Sequence, residues 1–149
     1  MEKRKVDYET IDFLSRALAF RFKLNGRTFT HVIGVSRGGL LPAEIISYVL
    51  GTKFLAYGAS SYDDKEQKEG LEVTQDIDFD ALPEDSRILV VDDKCDTGKT
   101  IDHMKSVIGD KFPYVRYATI FAEKRALKKV DHYGVILDDH TWVDFPWED

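Results

Sequence analysis

The feature that most constrains the fold is an unbroken apolar run that leads directly into acidic residues. Arg87 to Val91 reads RILVV, the pattern of a strand buried on both faces of a sheet. Asp92 and Asp93 follow at once, and the segment continues as KCDTGKT before helical spacing begins. The sequence therefore predicts a buried strand, an acidic loop and a helix running to about Gly109 in direct succession.

The rest of the chain alternates strands with helices. Apolar residues at helical spacing predict helices over Tyr8–Phe22 and Leu40–Leu50, and the polar stretch Ser60–Leu82 predicts a loop or a short hairpin. Residues 1–149 are expected to form a single α/β domain, with a mostly parallel twisted sheet flanked by helices. Four further apolar runs are the other predicted strands: His31–Val35, Lys53–Ala59, Val115–Ala122 and Tyr133–Leu137.

The charge balance argues against broad binding to nucleic acid. The chain has 21 Lys plus Arg against 27 Asp plus Glu, a net charge of −6, whereas nucleic-acid binding needs a basic surface. Any phosphate site must therefore be local. Cys95 is the sole cysteine, and no long apolar run indicates a membrane span or a secretion signal, so we expect a cytoplasmic protein without membrane partners. The four histidines show no metal-ligand spacing.

The loop after the buried strand has the chemistry of a phosphate and ribose site. Gly98 allows backbone N–H groups to converge at a helix start, which suits a phosphate monoester. Hydroxyls of Thr97 and Thr100 can bond phosphate oxygens, and Asp92 and Asp93 can accept from ribose hydroxyls. Ligands of open parallel sheets bind at the carboxyl ends of strands, and the loop that begins at Ser36 is expected at the same edge.

Other interpretations of this loop are less suitable. A Walker P-loop needs glycine five positions before Gly98, where the chain has Asp93. A phospho-accepting receiver domain would leave the Gly98 turn unused. The alternative without a ligand is that these residues simply form a solvated turn between strand and helix, with aspartate as the helix cap.

An apolar strand, two acids and then D-T-G-x-T resembles the 5-phosphoribosyl 1-pyrophosphate (PRPP) motif of the type I phosphoribosyltransferases. The resemblance implies the fold of that family, with a small hood built from the termini. Four more segments are similar to the bacterial xanthine-guanine, or purine, branch of the family: Val35–Leu40, Ser60–Asp63, Thr119–Ala122, and Thr141–Val143 with Pro146–Trp147.

The resemblance assigns roles within the acidic loop. It implies that Asp92 and Asp93 bind the ribose hydroxyls, with Asp93 also facing a Mg²⁺ ion held largely by the substrate. Asp96 becomes the general acid/base candidate, placed near N7 or N9 of the base. The 5-phosphate is expected among Asp96, Thr97, Gly98, Lys99 and Thr100.

The resemblance also assigns the pyrophosphate site. Ser36, Arg37 and Gly38 match the family loop that binds pyrophosphate, with a cis peptide bond after Ser36 or Arg37. Taken alone, this loop is also compatible with an ordinary glycine turn. Lys68 matches a basic residue of a closing loop that reaches pyrophosphate, although a solvated lysine fits the same position.

The purine site is where the sequence departs from the family. Trp142 resembles the tryptophan that stacks on the base, and the Val143 carbonyl is expected near position 2 of the base, although core packing is an alternative for Trp142. The family has a lysine after T-I-F-A that recognises the 6-oxo group, but this chain has Glu123 there and Lys124 next. Either a bulge brings Lys124 to the base, or Glu123 faces the base and the preferred base differs, toward one that bears a 6-amino donor.

The function implied by the resemblance is purine salvage. The chain is expected to move phosphoribosyl from PRPP to a 6-oxopurine (guanine, xanthine or hypoxanthine), giving the nucleoside 5′-monophosphate and pyrophosphate. The substrates are PRPP and a purine base, the cofactor is Mg²⁺, and the assembly is a homodimer or homotetramer. The alternative is a non-catalytic regulator of the same fold that binds PRPP or nucleotides.

Overall fold

The computed structural model of the chain describes residues 2–61 and 70–148. The helices are α1 (Tyr8–Leu24), α2 (Leu40–Leu50) and α3 (Lys99–Ile108). The described strands are β1 (Lys3–Lys5), β2 (His31–Ser36), β3 (Lys53–Ser61), β4 (Leu71–Gln75), β5 (Arg87–Cys95), β6 (Tyr114–Glu123), β7 (His132–Leu137) and β8 (Trp142–Asp144).

Six strands form the main sheet in the order β4-β3-β2-β5-β6-β7. All neighbouring pairs are parallel except β3 and β4, which pair antiparallel. This arrangement confirms the predicted mostly parallel α/β fold. The antiparallel pair also shows that the polar stretch after β3 returns as a hairpin strand.

Strand β5 lies inside this sheet and is buried on both faces. Leu89 and Val91 pack in the core on the side of α1 and α2, whereas Ile88 and Val90 pack on the side of α3. All four side chains are 0% exposed. This two-sided burial explains why every residue from Ile88 to Val91 is apolar, because each successive side chain points to the opposite face.

The termini build a separate small element. β1 and β8 pair in parallel, with Lys3 opposite Trp142 and Lys5 opposite Asp144. Val6, Val143 and Phe145 are buried in the core on the side of α1, so the pair is anchored to the main body. This two-stranded hood agrees with the predicted one.

Helix α1 begins where the sequence predicts it. The Asp7 carboxylate accepts a 2.8 Å hydrogen bond from the Thr10 N–H, which satisfies one of the unpaired donors of the first turn. The helix ends at Leu24, followed by Gly26 in the left-handed region at φ 67°. Among the described residues, none of the helices is long and apolar enough to span a membrane.

Candidate active site

Two loops meet at the carboxyl ends of β2 and β5, which are neighbours in the sheet. A side chain at Gly39 would lie 2.5 Å from the Val91 carbonyl oxygen and 2.9 Å from the Asp92 Cα. A side chain at Gly38 would collide with the Asp93 carboxylate. Two glycines are therefore needed here, because they let the loop after β2 lie directly against the acidic pair.

The loop after β2 carries an exposed arginine and an open helix start. The Ser36–Arg37 peptide bond is cis, at one of the two expected positions. Helix α2 begins at Leu40, and no side chain of the described residues caps its start. A cavity of about 540 Å³ is lined by Arg37, Gly38, Asp93, Trp147 and Glu148. The positive charge of Arg37 and the carboxylate of Asp93 thus face one space.

Asp92 and Asp93 lie within β5, because the strand continues to Cys95 instead of ending at Val91. Asp92 Oδ1 accepts from the Asp93 N–H at 2.8 Å, and Asp93 Oδ1 accepts from the Lys94 N–H at 2.7 Å. Burial raises the pKa of Asp92 well above its usual range, and the negative charge of Asp93 adds to the shift. Burial also raises the pKa of Asp93. Each carboxyl keeps further acceptor capacity that the hydroxyls of a ligand could use.

The turn between β5 and α3 forms the second anion site. Gly98 occupies the left-handed region at φ 83°, and α3 starts at Lys99 with no side-chain cap from the described residues. A cavity of about 190 Å³ is lined by the consecutive residues 94–101. Free N–H groups at a helix start bind anions well, so this geometry suits the predicted 5-phosphate position.

Asp96 lies at the surface of this turn, and Cys95 is buried beside it. Asp96 Oδ1 accepts from the Thr97 N–H at 2.6 Å, which holds the carboxylate in the turn while the side chain stays exposed. Burial raises the pKa of the Cys95 thiol to about 11. Cys95 therefore stays protonated at neutral pH and is a poor nucleophile.

The hood presents Trp142 toward solvent. The Trp142 side chain is 50% exposed, so core packing does not account for it. The backbone N–H of Trp142 donates to the Glu2 carbonyl at 2.8 Å, and the next residue, Val143, is only 3% exposed. A buried neighbour and a paired backbone hold the indole in place while leaving it available to a ligand.

The structure places Glu123 in the interior and Lys124 at the surface. Glu123 is 1% exposed, and its Oε1 accepts from the Arg125 Nε at 3.0 Å and from the His140 N–H at 2.6 Å. Lys124 follows the end of β6, and its Nζ lies 2.7 Å from Asp138 Oδ1 with the side chain 63% exposed. The charged group of Lys124 is thus engaged at the surface.

Sequence reasoning missed Lys94, whose Nζ lies 3.1 Å from Glu123 Oε2 and donates to the Thr141 carbonyl at 2.6 Å. Strand pairing explains the contact. Lys94 lies opposite Phe121 of β6, and Glu123 is two residues after Phe121 on the same strand. Alternation alone places Lys94 and Glu123 on one face once that register is known. Lys68, predicted for pyrophosphate, lies outside the described residues.

Comparison with known proteins is consistent with this geometry. Residues 7–148 match the phosphoribosyl transferase domain family. The chain is 34% identical over 144 residues to the xanthine-guanine phosphoribosyltransferase of Idiomarina loihiensis, covering 96% of this chain and 85% of that protein.

Solved structures give the same result. The purine phosphoribosyltransferase of Pyrococcus horikoshii superposes with a TM-score of 0.84 at 26% identity, covering 100% of this chain and 95% of the other. The fold is also that of the Helicobacter pylori xanthine-guanine-hypoxanthine phosphoribosyltransferase, with a TM-score of 0.80 at 24% identity and coverage of 99% and 94%.

Proposed function

The chain belongs to the phosphoribosyl transferase domain family, and we propose that it transfers phosphoribosyl from PRPP to a 6-oxopurine base. The products are a nucleoside 5′-monophosphate and pyrophosphate, as in purine salvage. The relatives named xanthine-guanine and purine phosphoribosyltransferases support this assignment.

The observation that carries the proposal is the contact between the two loops. Gly38 and Gly39 lie against Asp92 and Asp93, so the loop after β2 and the acidic strand end face one space. PRPP has anionic groups at two ends of one ribose. The exposed Arg37 side chain and the uncapped start of α3, together with the carboxylate pair, match that distribution of charge and hydroxyls.

In this proposal each part of the site binds one part of PRPP. The N–H groups of Gly98, Lys99 and Thr100, with the Thr97 hydroxyl, hold the 5-phosphate, and Asp92 and Asp93 accept from the ribose hydroxyls. Ser36, Arg37 and Gly38 hold the pyrophosphate, with Lys68 as a further predicted contact. Fixing all three groups orients the anomeric carbon toward the base. Such positioning is the main way in which an enzyme can accelerate this displacement.

Asp96 handles the proton of the incoming base. Attack by a purine nitrogen on the anomeric carbon releases a proton as the C–O bond to pyrophosphate breaks. The exposed Asp96 carboxylate lies beside the phosphate turn and can accept that proton. The pyrophosphate leaves as an anion into the loop that carries Arg37.

The carboxylates fit a metal that is held mainly by substrate. The described residues contain no group of three or more His, Cys, Asp or Glu side chains able to hold a metal. Asp92 and Asp93 provide hard oxygen ligands beside the ribose position, which suits Mg²⁺. When bound, Mg²⁺ would neutralise charge that develops on pyrophosphate, with Asp93 as its protein contact.

The base is proposed to stack on Trp142, with position 2 near the Val143 carbonyl. The exposed indole face supports this placement, since aromatic rings favour stacking with a base. A cytoplasmic homodimer or homotetramer completes the proposal.

The test is a comparison of four bases. The protein is mixed with PRPP and Mg²⁺ and, separately, with hypoxanthine, guanine, xanthine and adenine, and nucleotide formation is followed. The proposal predicts turnover with at least one 6-oxopurine and little with adenine. Absence of turnover with every base would overturn it, and PRPP-dependent thermal stabilisation in that case would favour a binding regulator.

A further inference from the structure

The side chain of Lys94 joins the phosphate turn to the hood. Its Nζ lies 2.6 Å from the Thr141 carbonyl oxygen and 3.1 Å from Glu123 Oε2. Lys94 is two residues before Asp96, and Thr141 directly precedes Trp142. The Lys94 side chain therefore links the strand end that leads to Asp96 with the residue that precedes Trp142.

Glu123 fixes the position of this ammonium. Its carboxylate is 1% exposed and accepts from three groups: the Lys94 ammonium, the Arg125 Nε and the His140 N–H. A buried carboxylate is costly unless all its partners stay in place. Glu123 is therefore suited to hold Lys94 and unsuited to turn toward a ligand.

Among the residues that the structure describes, Lys94 has partners for two of its three donors, which leaves one for a ligand. An ammonium group has three N–H donors and no acceptor, and Thr141 and Glu123 take two of them. The side chain is 16% exposed and lines the cavity of the phosphate turn. The third donor can therefore meet an acceptor on a molecule bound there.

We propose, resting on the function proposed above, that Lys94 determines base specificity by donating this N–H to the 6-oxo oxygen of the purine. Position 6 and N7 lie on one edge of a purine, so a base with N7 near Asp96 presents its 6-substituent toward Lys94. A 6-oxo group accepts from the ammonium. A 6-amino group would place donor against donor, which a site built for hydrogen bonding rejects strongly.

Lys124 is the rival for this role. Sequence alone favours it, because it follows directly after the position where the family has its lysine. Its ammonium, however, pairs with Asp138 at 2.7 Å on the surface. Lys94 needs no rearrangement to stand beside the base, since it is already bonded to the residue before Trp142.

The experiment measures nucleotide binding by titration calorimetry, which does not depend on turnover. Inosine 5′-monophosphate is compared with purine riboside 5′-monophosphate, which lacks the 6-oxo group. The wild-type protein should bind the inosine nucleotide at least about tenfold more tightly, the effect of one charged hydrogen bond. Lys94→Met should abolish that preference and leave the affinity for purine riboside 5′-monophosphate within about twofold.

Lys128→Met is the matched control, because Lys128 is an exposed lysine on the segment that follows β6, and it should keep the full preference. Lys94→Met/Glu123→Gln removes both charges of the pair, so it gives the same answer if the single variant does not fold. Retention of the preference in the folded Lys94 variants, or its loss in Lys124→Met instead, would overturn the assignment.

The result separates the two proposals. A wild-type protein that prefers the inosine nucleotide but forms none from hypoxanthine and PRPP would contradict phosphoribosyl transfer and leave the Lys94 contact standing. A wild-type protein that turns over hypoxanthine but binds both nucleotides equally would contradict the Lys94 contact alone.

Discussion

At the scale of single residues, the site contrasts two kinds of carboxylate. Asp92 is buried against a neighbouring acid, whereas Asp96 is exposed on the phosphate turn. Burial makes Asp92 a hydrogen-bonding group that benefits from a ligand's hydroxyls. Exposure leaves Asp96 free to exchange a proton with a bound base. The two acids are thus expected to respond differently to the same substitution.

Asp96→Asn is expected to lower kcat by about 100-fold or more while changing PRPP affinity by less than about threefold. The amide oxygen can still accept from the Thr97 N–H, so the turn is retained. Steady-state kinetics with a 6-oxopurine, paired with PRPP titration, makes the comparison. Equal losses in kcat and PRPP affinity would contradict the role in proton transfer.

Asp92→Asn is expected to stabilise the ligand-free protein above about pH 4. The folded-state pKa of Asp92 is raised by burial and by Asp93, so the wild type is unpenalised below the unfolded-state pKa and loses stability as pH rises through the folded-state pKa. The asparagine variant cannot ionise and escapes this loss. It should also bind PRPP more weakly, because one acceptor for the ribose hydroxyls is altered.

Denaturant unfolding of the two ligand-free proteins between pH 3 and 8 measures this difference. The exposed Asp110→Asn serves as control and should stay within about 0.5 kcal/mol of wild type. An Asp92→Asn variant that is less stable than wild type at neutral pH would show that the carboxylate has a stabilising partner.

At the scale of elements, the phosphate turn depends on a left-handed glycine between β5 and α3. Gly98→Ala is expected to destabilise the protein by about 1–2 kcal/mol, because alanine is strained at φ 83°. Its methyl group would also displace the Lys129 side chain, which pairs with Asp102 at 2.6 Å. The turn would then shift, and PRPP affinity should fall at least about tenfold.

Gly51→Ala is the matched control for this change. Gly51 has a similar φ of 68° at the end of α2, and a side chain there would meet nothing within 4 Å. It should show a similar loss of stability with unchanged PRPP affinity. Equal PRPP affinities in the two variants, measured by calorimetry, would contradict the role of the Gly98 turn.

The elements themselves were largely predictable from the sequence. α2 begins and ends where helical spacing places it, and the buried run RILVV reads correctly as a two-sided strand. The extension of β5 to Cys95 was missed, since acidic residues are poor strand formers and only pairing with β6 keeps them extended. The local pattern of apolar residues therefore predicts which residues are buried, but it predicts the ends of strands poorly.

The base-recognition side of the site was much less predictable. The Lys94–Glu123 pair joins residues from neighbouring strands, so it depends on a register that no local pattern contains. The outward turn of Lys124 depends in the same way on Asp138, which follows the next strand. By contrast, the juxtaposition of the two glycine-bearing loops follows from the topological rule that parallel strands end at one edge.

At the scale of the whole molecule, the hood brings the chain ends to the site. β8 carries Trp142, and the segment after it brings Trp147 to the cavity that contains Arg37 and Asp93. Trp147 also stacks on Phe145 with ring centroids 4.8 Å apart, which holds it against the core. Two statements about the whole chain stay predictions: residues 1–149 fold as one domain, and the protein assembles as an oligomer.

The most direct test of the two-loop PRPP site is the rate of inosine 5′-monophosphate and pyrophosphate formation from PRPP and hypoxanthine by the wild type and by Gly38→Ala. A side chain at Gly38 would collide with the Asp93 carboxylate, so this carboxylate or the loop after β2 would have to shift. The wild type should form both products in equal amounts, and the folded variant should lose at least about tenfold in kcat/KM for PRPP. No product from the wild type, or wild-type rates from Gly38→Ala, would contradict the account.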